Sequence, residues 1–394
     1  MLINGRRLGR MTQSTPITVP RGLKNVIVTD TAIGDVRGEE GFYHYRQYDA
    51  TELARTARFE DVWHLMIYGE LPDAAASERF ARRIGELRVL DGTTVDLLRS
   101  VVTPDVEPLA ALRVALATAG ITERPLFDLP EADRIHAALR YAAIAPTVIA
   151  AAHRLARGLD VVDADPAAEH TADYLRMATG NTADDAVSAL QTYLVTTIDH
   201  GFNASTFAGR VVASSGSDMT SSILGALGAF LGPLHGGAPG RALAALEEIG
   251  DPSNTRDWVR GKVAGGEVIM GFGHAVYRTH DPRAELLKEV VTTRYDSPLV
   301  RQAAAVEAEI ETAINEFKPG RRLYANVEFY AGVLMSEVGL PPEMFTPTFG
   351  VARIVGWTAN ILEQAAERKI IRPVARYVGP EPSRTASSRT TADA

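Results

Sequence analysis

The 394-residue sequence contains no cysteine. Disulfide bonds, thiolate nucleophiles and zinc or iron–sulfur centres held by cysteine are therefore excluded. A chain of this length buries a sizeable core without disulfide bonds, and it is long enough for one large domain and one smaller domain. Because cytoplasmic proteins rarely contain disulfide bonds, the absence of cysteine fits a cytoplasmic location, which we expect.

Long apolar runs and an excess of basic residues are also missing. The two most apolar stretches, 142–152 and 223–231, are far shorter than the roughly 20 residues that span a bilayer. The N-terminus has basic residues but no apolar segment after them. The formal net charge is −8, whereas a general nucleic-acid surface needs a basic excess. We therefore expect neither a membrane segment nor a nucleic-acid partner.

The spacing of apolar residues predicts a mainly α fold. Positions three or four apart are apolar across 51–66, 184–200, 303–317 and 351–367, and Pro130 begins a further helical pattern. Strand signals are confined to 26–29 and 42–45, which predicts minor β-structure near the N-terminus. Residues 1–20 and 381–394 are polar and aperiodic, so we predict a flexible N-terminus and a disordered tail.

One predicted helix, 219–231, alternates bulky residues with glycine and alanine. Small residues on a helix face allow a second helix to approach closely. The pattern is typical of a buried central helix, and it also fits a helix at a dimer interface. The sequence leaves both interpretations open.

Three histidines lie beside or near glycine. They are His200 in DHGFNAST, His235 in GPLHGGAPG and His274 in GFGHAVYRTHDPR. Glycine allows a tight backbone turn and the close approach of a ligand, so the three segments predict a functional site. The alternative use of three histidines is metal binding. The sequence has no HExxH and no histidine pair at helical spacing, so we predict no metal.

The candidate base is Glu328 in YANVEFYAG, between Val327 and Phe329. An apolar setting raises the pKa of a carboxyl group toward the range useful for a general base. The alternative is a glutamate that faces water. Arg283, Arg353 and Arg372 lie in apolar or turn-like contexts and are suited to gripping a carboxylate. Each of these arginines on its own also fits a surface ion pair.

At this point the sequence resembles the citrate synthase family. The resemblance runs from about Gly22 to Gly379 and rests on GPLHGGAPG, GFGHAVYRTHDPR, NVEFYAG, DHGFNASTFAGRVVASS and GLKNVIVTDTAIGDVRGEEGFYHYRQYDATELA. It implies a mainly helical homodimer with a large domain, 21–236 and 340–380, and a small domain, 237–339. It also implies the reaction of acetyl-CoA, oxaloacetate and water to give citrate and CoA, with no permanently bound cofactor.

The resemblance further implies a role for each matched residue. The catalytic group comprises His235, His274 and Glu328. The oxaloacetate site comprises His200, Arg283, Arg353, Asn326 and Arg372, the last reaching the site from the partner subunit. The CoA site comprises Met270, Gly271, Gly273 and Arg278.

The sequence departs from the family at Glu328, where the usual residue is aspartate. Glutamate is longer by one methylene, which changes reach more than basicity, since the reference pKa values are about 4.3 and about 3.9. Three functions remain in view. They are citrate synthase, 2-methylcitrate synthase using propionyl-CoA, and a non-catalytic ligand-binding homologue.

Overall fold

A computed structural model describes residues 16–232, 235, 238–318, 320 and 323–382, with only the backbone at 238 and 239. This part of the chain contains sixteen α-helices and one three-stranded sheet, so the predicted mainly α fold is confirmed. The predicted disordered tail lies almost entirely outside the described residues, and so do residues 1–15 of the predicted flexible N-terminus.

The sheet is an antiparallel meander near the N-terminus. Its strands are β1 (Gly34–Arg37), β2 (Phe42–Tyr45) and β3 (Tyr48–Asp49), with Gly34 paired to Tyr45 and His44 paired to Asp49. Tyr43 and Tyr45 point into the core, which fixes the register. The predicted strand at 42–45 is confirmed. The prediction for 26–29 was wrong: this segment is not a strand, and its apolar Ile27 and Val28 are both exposed rather than alternating.

The helix predicted at 51–66 is two helices, α1 (Ala50–Thr56) and α2 (Phe59–Tyr68). Asp49 caps α1 by accepting the backbone N–H groups of Thr51 and Glu52. Ala57 and Arg58 are extended and separate the helices. The apolar spacing continues across the break because both helices bury a face in the same core, which hides the break in the sequence.

The remaining helices surround one extensive core. They are α3 (Ala74–Leu87), α4 (Gly92–Val101), α5 (Pro108–Ala119), α6 (Glu131–Ala156), α7 (His170–Thr179), α8 (Asp184–Thr197), α9 (Ala204–Ser214), α10 (Met219–Phe230), α11 (Ala238–Ile249), α12 (Thr255–Ala264), α13 (Pro282–Arg294), α14 (Pro298–Phe317), α15 (Val327–Glu337) and α16 (Phe345–Glu367). The predicted helices at 184–200, 303–317 and 351–367 and after Pro130 correspond to α8, α14, α16 and α6, with shifted ends.

Helix α6 is 26 residues long and by length and composition is apolar enough to cross a membrane. In this structure 78% of its apolar window is buried inside the protein. It packs against α5, α7 and α16, as a core helix does.

Helix α10 combines features of both interpretations offered for it. Met219, Ile223, Leu227 and Phe230 are buried, and the helix packs on α9 and α16. Gly228 on its other side is exposed, and a Cβ built there meets no atom within 4 Å. The buried-helix interpretation therefore holds for one face, while the dimer-interface interpretation stays a prediction for the other.

The chain divides into two compact units, 31–370 and a terminal unit made of 1–30 and 371–394. The described part of the terminal unit has little regular secondary structure, with a short 3-10 turn at Arg21–Leu23 and a hydrogen bond from Arg376 Nη2 to Thr18 Oγ1 of 2.8 Å. The predicted boundary between large and small domains falls inside the unit 31–370 and stays a prediction.

Candidate active site

Most of the predicted site residues line one cavity of about 510 Å³. They come from segments far apart in the sequence: the turn after α8, the turn after α10, the loop before α13, the start of α13, the start of α15 and the middle of α16. The cavity is lined by His200, His235, His274, Arg283, Asn326, Glu328 and Arg353, among others. The fold therefore brings together seven of the eight predicted catalytic and oxaloacetate-binding residues.

Glu328 lies in the first turn of α15, and its backbone is held in place. Asn326 caps the helix by accepting the Glu328 backbone N–H at 3.1 Å, while the Asn326 side-chain amide donates to Gly273 O at 2.9 Å. Oε2 of Glu328 is buried and has no hydrogen-bond partner among the described residues. Burial raises the pKa of the Glu328 carboxyl group, with Arg283 acting in the opposite direction. The outcome is an unpartnered carboxylate oxygen suited to accepting a proton.

The ring of His274 is fixed by its own loop. Nδ1 accepts hydrogen bonds from the backbone N–H groups of Val276 and Tyr277, both at 3.0 Å. Since backbone N–H groups only donate, Nδ1 carries no proton, and the neutral ring has its proton on Nε2. Burial and the nearby Arg283 guanidinium lower the pKa of His274 to about 4, which keeps the ring neutral at neutral pH.

Arg283 is buried and paired with Asp281. The guanidinium donates through Nε to Oδ1 at 2.9 Å and through Nη2 to Oδ2 at 2.7 Å. Asp281 also accepts the Val327 backbone N–H at 3.2 Å, which ties the arginine to the helix that bears Glu328. Sequence reasoning missed Asp281. Its position directly before Pro282, at the start of a helix, was the available signal, because aspartate is a common N-cap.

Arg353 is buried on α16 beside another carboxylate that sequence reasoning missed. Its Nε donates to Thr197 O at 2.9 Å, and the guanidinium lies 4.7 Å from the Phe349 ring centroid. Asp199 is buried nearby and accepts from Gly201 N–H at 3.0 Å and from the Asn360 side chain at 3.2 Å. Burial raises the pKa of Asp199, and the adjacent Arg353 lowers it.

His200 lies between neighbouring aromatic and charged groups. Its Nε2 is 3.0 Å from Tyr277 Oη, and its ring meets the His274 ring edge-on at 5.3 Å. Burial, reinforced by Arg283, lowers the pKa of His200 well below its usual value. His200 therefore enters the site as a neutral ring.

His235 is oriented by a serine that the sequence did not single out. Its Nε2 lies 2.9 Å from Ser205 Oγ, which accepts from Trp357 Nε1 at 3.1 Å and donates to Asn203 Oδ1 at 2.7 Å. Burial lowers the pKa of His235 to about 4. The ring is therefore also neutral at neutral pH.

A second cavity, of about 630 Å³, adjoins the first. Both are lined by Gly273, His274 and Ala275, so the His274 loop forms part of each wall. Arg278 and Lys318 supply positive charge, and Ile269 and Phe272 are among its apolar residues. The cavity thus offers cations and apolar surface next to His274, which suits an elongated anionic ligand.

Of the four predicted CoA-site residues, Gly273 and Arg278 line this second cavity, whereas Met270 and Gly271 do not. Gly271 adopts φ +82°, and its carbonyl oxygen accepts the Asn326 backbone N–H at 2.8 Å. Its contribution in this structure is to hold the segment beside α15.

Comparison with known proteins identifies the family. The family described as citrate synthase, C-terminal domain, matches residues 22–374. The chain belongs to the citrate synthase family. It is 34% identical over 364 residues to a citrate synthase from Haloferax volcanii, covering 91% of this chain and 95% of the relative. It is 37% identical over 369 residues to a 2-methylcitrate synthase from Mycobacterium tuberculosis, covering 92% and 91%.

Solved structures of the family agree with the fold. The citrate synthase from Thermotoga maritima superposes with a TM-score of 0.83 at 33% identity, covering 94% of this chain and 98% of that one. A citrate synthase from Thermoplasma acidophilum, solved in a ternary complex with carboxymethyl coenzyme A and oxaloacetate, superposes with a TM-score of 0.86 at 26% identity, covering 94% of this chain and 98% of that one. The chain is therefore an enzyme of the citrate synthase type, a transferase, as predicted.

Two predictions about the site stay predictions after these comparisons: the role of Arg372 and the absence of a metal. Arg372 is exposed and belongs to the terminal unit, so its assignment to the oxaloacetate site stays a prediction. Among the described residues, no group of three histidine or acidic side chains is placed to hold a metal ion.

Proposed function

We propose that this enzyme condenses acetyl-CoA with oxaloacetate and water to give citrate and free CoA. The observation that supports this most strongly is the unpartnered, buried carboxylate oxygen of Glu328, in one cavity with neutral His274 and the cation Arg283. The condensation requires a base for the methyl proton, a hydrogen-bond donor for the ketone oxygen and positive charge for the oxaloacetate dianion, and these three groups supply them.

The polar groups of the first cavity favour oxaloacetate. With its proton on Nε2, His274 directs a donor toward Arg283 Nη2, itself a donor, and the two nitrogens are 3.2 Å apart. Two donors facing each other are satisfied by an oxygen that accepts from both. A ketone or carboxylate oxygen of oxaloacetate supplies it, and Arg353 provides a second positive charge for the dianion.

The second cavity favours the CoA moiety. Arg278 and Lys318 are cations suited to phosphate groups, and the apolar residues suit the pantetheine chain. Because the two cavities share the His274 loop, a thioester entering from the second cavity arrives between His274 and Glu328. We therefore assign Gly273 and Arg278 to this site, while Met270 and Gly271, which do not line the cavity, are assigned to it only as part of the segment that leads to Gly273.

In the proposed reaction, Glu328 removes a proton from the acetyl methyl group while His235 donates a hydrogen bond to the thioester oxygen. The methyl carbon then attacks the ketone carbon of oxaloacetate, and His274 transfers its Nε2 proton to the ketone oxygen as it becomes a hydroxyl. Water hydrolyses the thioester and releases CoA. In this structure the Ser205 hydroxyl donates to Asn203 Oδ1, so for His235 to donate from Nδ1 in this step the hydroxyl must turn and donate to His235 Nε2 instead.

A second candidate substrate is propionyl-CoA, favoured by the relative named 2-methylcitrate synthase. One extra methylene contributes only about 1–3 kcal/mol to discrimination. Few pocket residues therefore separate the two substrates.

We also propose that the enzyme works as a homodimer in which the partner subunit's Arg372 completes the oxaloacetate site. The support is the open side of α10, where exposed Gly228 leaves room for a second helix. The division into large and small domains, 21–236 with 340–380 and 237–339, belongs to the same proposal.

The test is release of free CoA thiol from acetyl-CoA and from propionyl-CoA, each with and without oxaloacetate. We expect release that depends on oxaloacetate and is faster with acetyl-CoA. Faster release from propionyl-CoA would favour the second candidate, and no release from either would contradict the proposed function. His235→Ala and His274→Ala should each lower kcat by at least about 10²-fold.

A further inference from the structure

The turn between β1 and β2 packs directly on the His274 loop, although 236 positions separate Gly38 from His274 in the sequence. The backbone N–H of Arg278 donates to Gly38 O at 3.0 Å. A Cβ built on Gly38 would lie 2.3 Å from Val276 O and 2.8 Å from its carbonyl carbon. Glycine is thus required here, because any side chain overlaps the backbone of the loop.

The residues that meet this turn are the ones that orient His274. The peptide that carries Val276 O also carries the Tyr277 N–H, which donates to His274 Nδ1 together with the Val276 N–H. A displacement of the Val276 carbonyl therefore moves a donor away from Nδ1. The same sheet also braces the other histidine loop, since Tyr45 Oη accepts the Asp199 backbone N–H at 3.3 Å and the Tyr43 ring lies 5.7 Å from the His200 ring.

We propose that the β1–β2 turn is a positioning element for the reaction, and that Gly38 holds the His274 loop so that the imidazole keeps its proton on Nε2. Gly38 touches neither the ring nor the cavity and acts through Val276 and Tyr277. The effect on the tautomer is independent of the reaction, whereas the effect on turnover rests on the proposed function.

The distances set the expected size of the effect. In Gly38→Ala the methyl group needs ordinary contact with Val276 O, so the loop moves by about 1 Å, a misplacement that costs about 10²-fold in rate. Arg283 should be less affected, because Asp281 and not the turn holds its guanidinium. We therefore expect kcat to fall by about 10²-fold and the KM for oxaloacetate to change much less.

The control is Gly261→Ala. A Cβ built on Gly261 meets no atom within 4 Å, and this glycine lies inside α12 and lines neither cavity. It makes the same chemical change without the overlap, so both kcat and the histidine tautomer should stay as in the wild type.

The direct readout is NMR of the full chain labelled with ¹⁵N-histidine, with the His274 signals assigned by their loss in His274→Gln. In the wild type at neutral pH we expect one neutral form with the proton on Nε2. In Gly38→Ala we expect that form to be lost or mixed with the Nδ1-protonated form.

A wild-type His274 protonated on Nδ1 would overturn the proposal even if Gly38→Ala fails to fold. A folded Gly38→Ala with unchanged tautomer and unchanged kcat would also overturn it. An inactive wild type that still shows the expected tautomers would contradict the proposed function but support this proposal.

Discussion

Replacement of Glu328 tests the candidate base. Glu328→Gln keeps the shape of the side chain but removes its ability to accept a proton. General base catalysis is worth about 10²–10⁴-fold, so we expect a loss of this order in kcat. Glu328→Asp sets the carboxylate back by one C–C bond, roughly 1.5 Å. The backbone has little freedom to follow, because Asn326 caps the helix start and Asp281 accepts the preceding N–H. We therefore expect the kcat of Glu328→Asp to be about 10²-fold below that of the wild type.

The assay is CoA thiol release at saturating oxaloacetate, followed over pH. Burial raises the pKa of Glu328, and the base works only when ionised. The kcat of the wild type should therefore fall as the pH is lowered through this raised pKa. Glu78 is an exposed glutamate on α3, and Glu78→Gln is the matched control, which should retain full activity.

A higher kcat in Glu328→Asp than in a nearly inactive wild type would refute the reasoning and favour a non-catalytic homologue. Unchanged turnover in Glu328→Gln would remove Glu328 from the mechanism.

Three further predictions follow from the buried charges and the open helix face. Arg283→Lys keeps the charge opposite Asp281 but loses the two hydrogen bonds by which the guanidinium is held. We expect oxaloacetate affinity, measured by isothermal titration, to fall about 10- to 150-fold, the equivalent of one charge-assisted hydrogen bond. Unchanged affinity would remove Arg283 from the site. His170 is fully buried against Arg88, and burial followed by that charge lowers its pKa well below its usual value. In the unfolded protein His170 therefore binds a proton below about pH 6.5, whereas in the folded protein it does not. Stability should be full above that pH and decline below it, and His170→Gln should flatten the decline in melting temperature between about pH 6.5 and 5; an equal decline in both proteins would contradict this. Gly228→Glu places a charge on the open side of α10, so light scattering should show a shift from dimer to monomer, whereas a wild-type monomer would contradict the proposed homodimer.

The chemical groups of the site could be predicted because each lies in a segment with its own local signature. His235 and His274 each adjoin a glycine, and Glu328 lies between apolar residues, so the sequence singles them out as candidates without any structure. The helices could be predicted from apolar spacing for a similar reason, although the break at Ala57 could not, since the apolar face continues across it.

The residues that orient those groups could not be predicted in the same way. Asp281, Asp199 and Ser205 act through partners, and Asp199 meets Asn360 from 161 positions away. Gly38 is the extreme case, because its requirement comes from a carbonyl oxygen 238 positions later in the chain. Such contacts are consequences of tertiary packing, which no local pattern encodes.

Formation of the new carbon–carbon bond is the central claim, and it is measured directly by incubating the enzyme with acetyl-CoA labelled with ¹³C at the methyl carbon and with unlabelled oxaloacetate. We predict that the NMR signal of the methyl group is replaced by that of a methylene carbon of citrate as CoA is released. Release of CoA with the label appearing only in acetate would show thioester hydrolysis without condensation and would contradict the account.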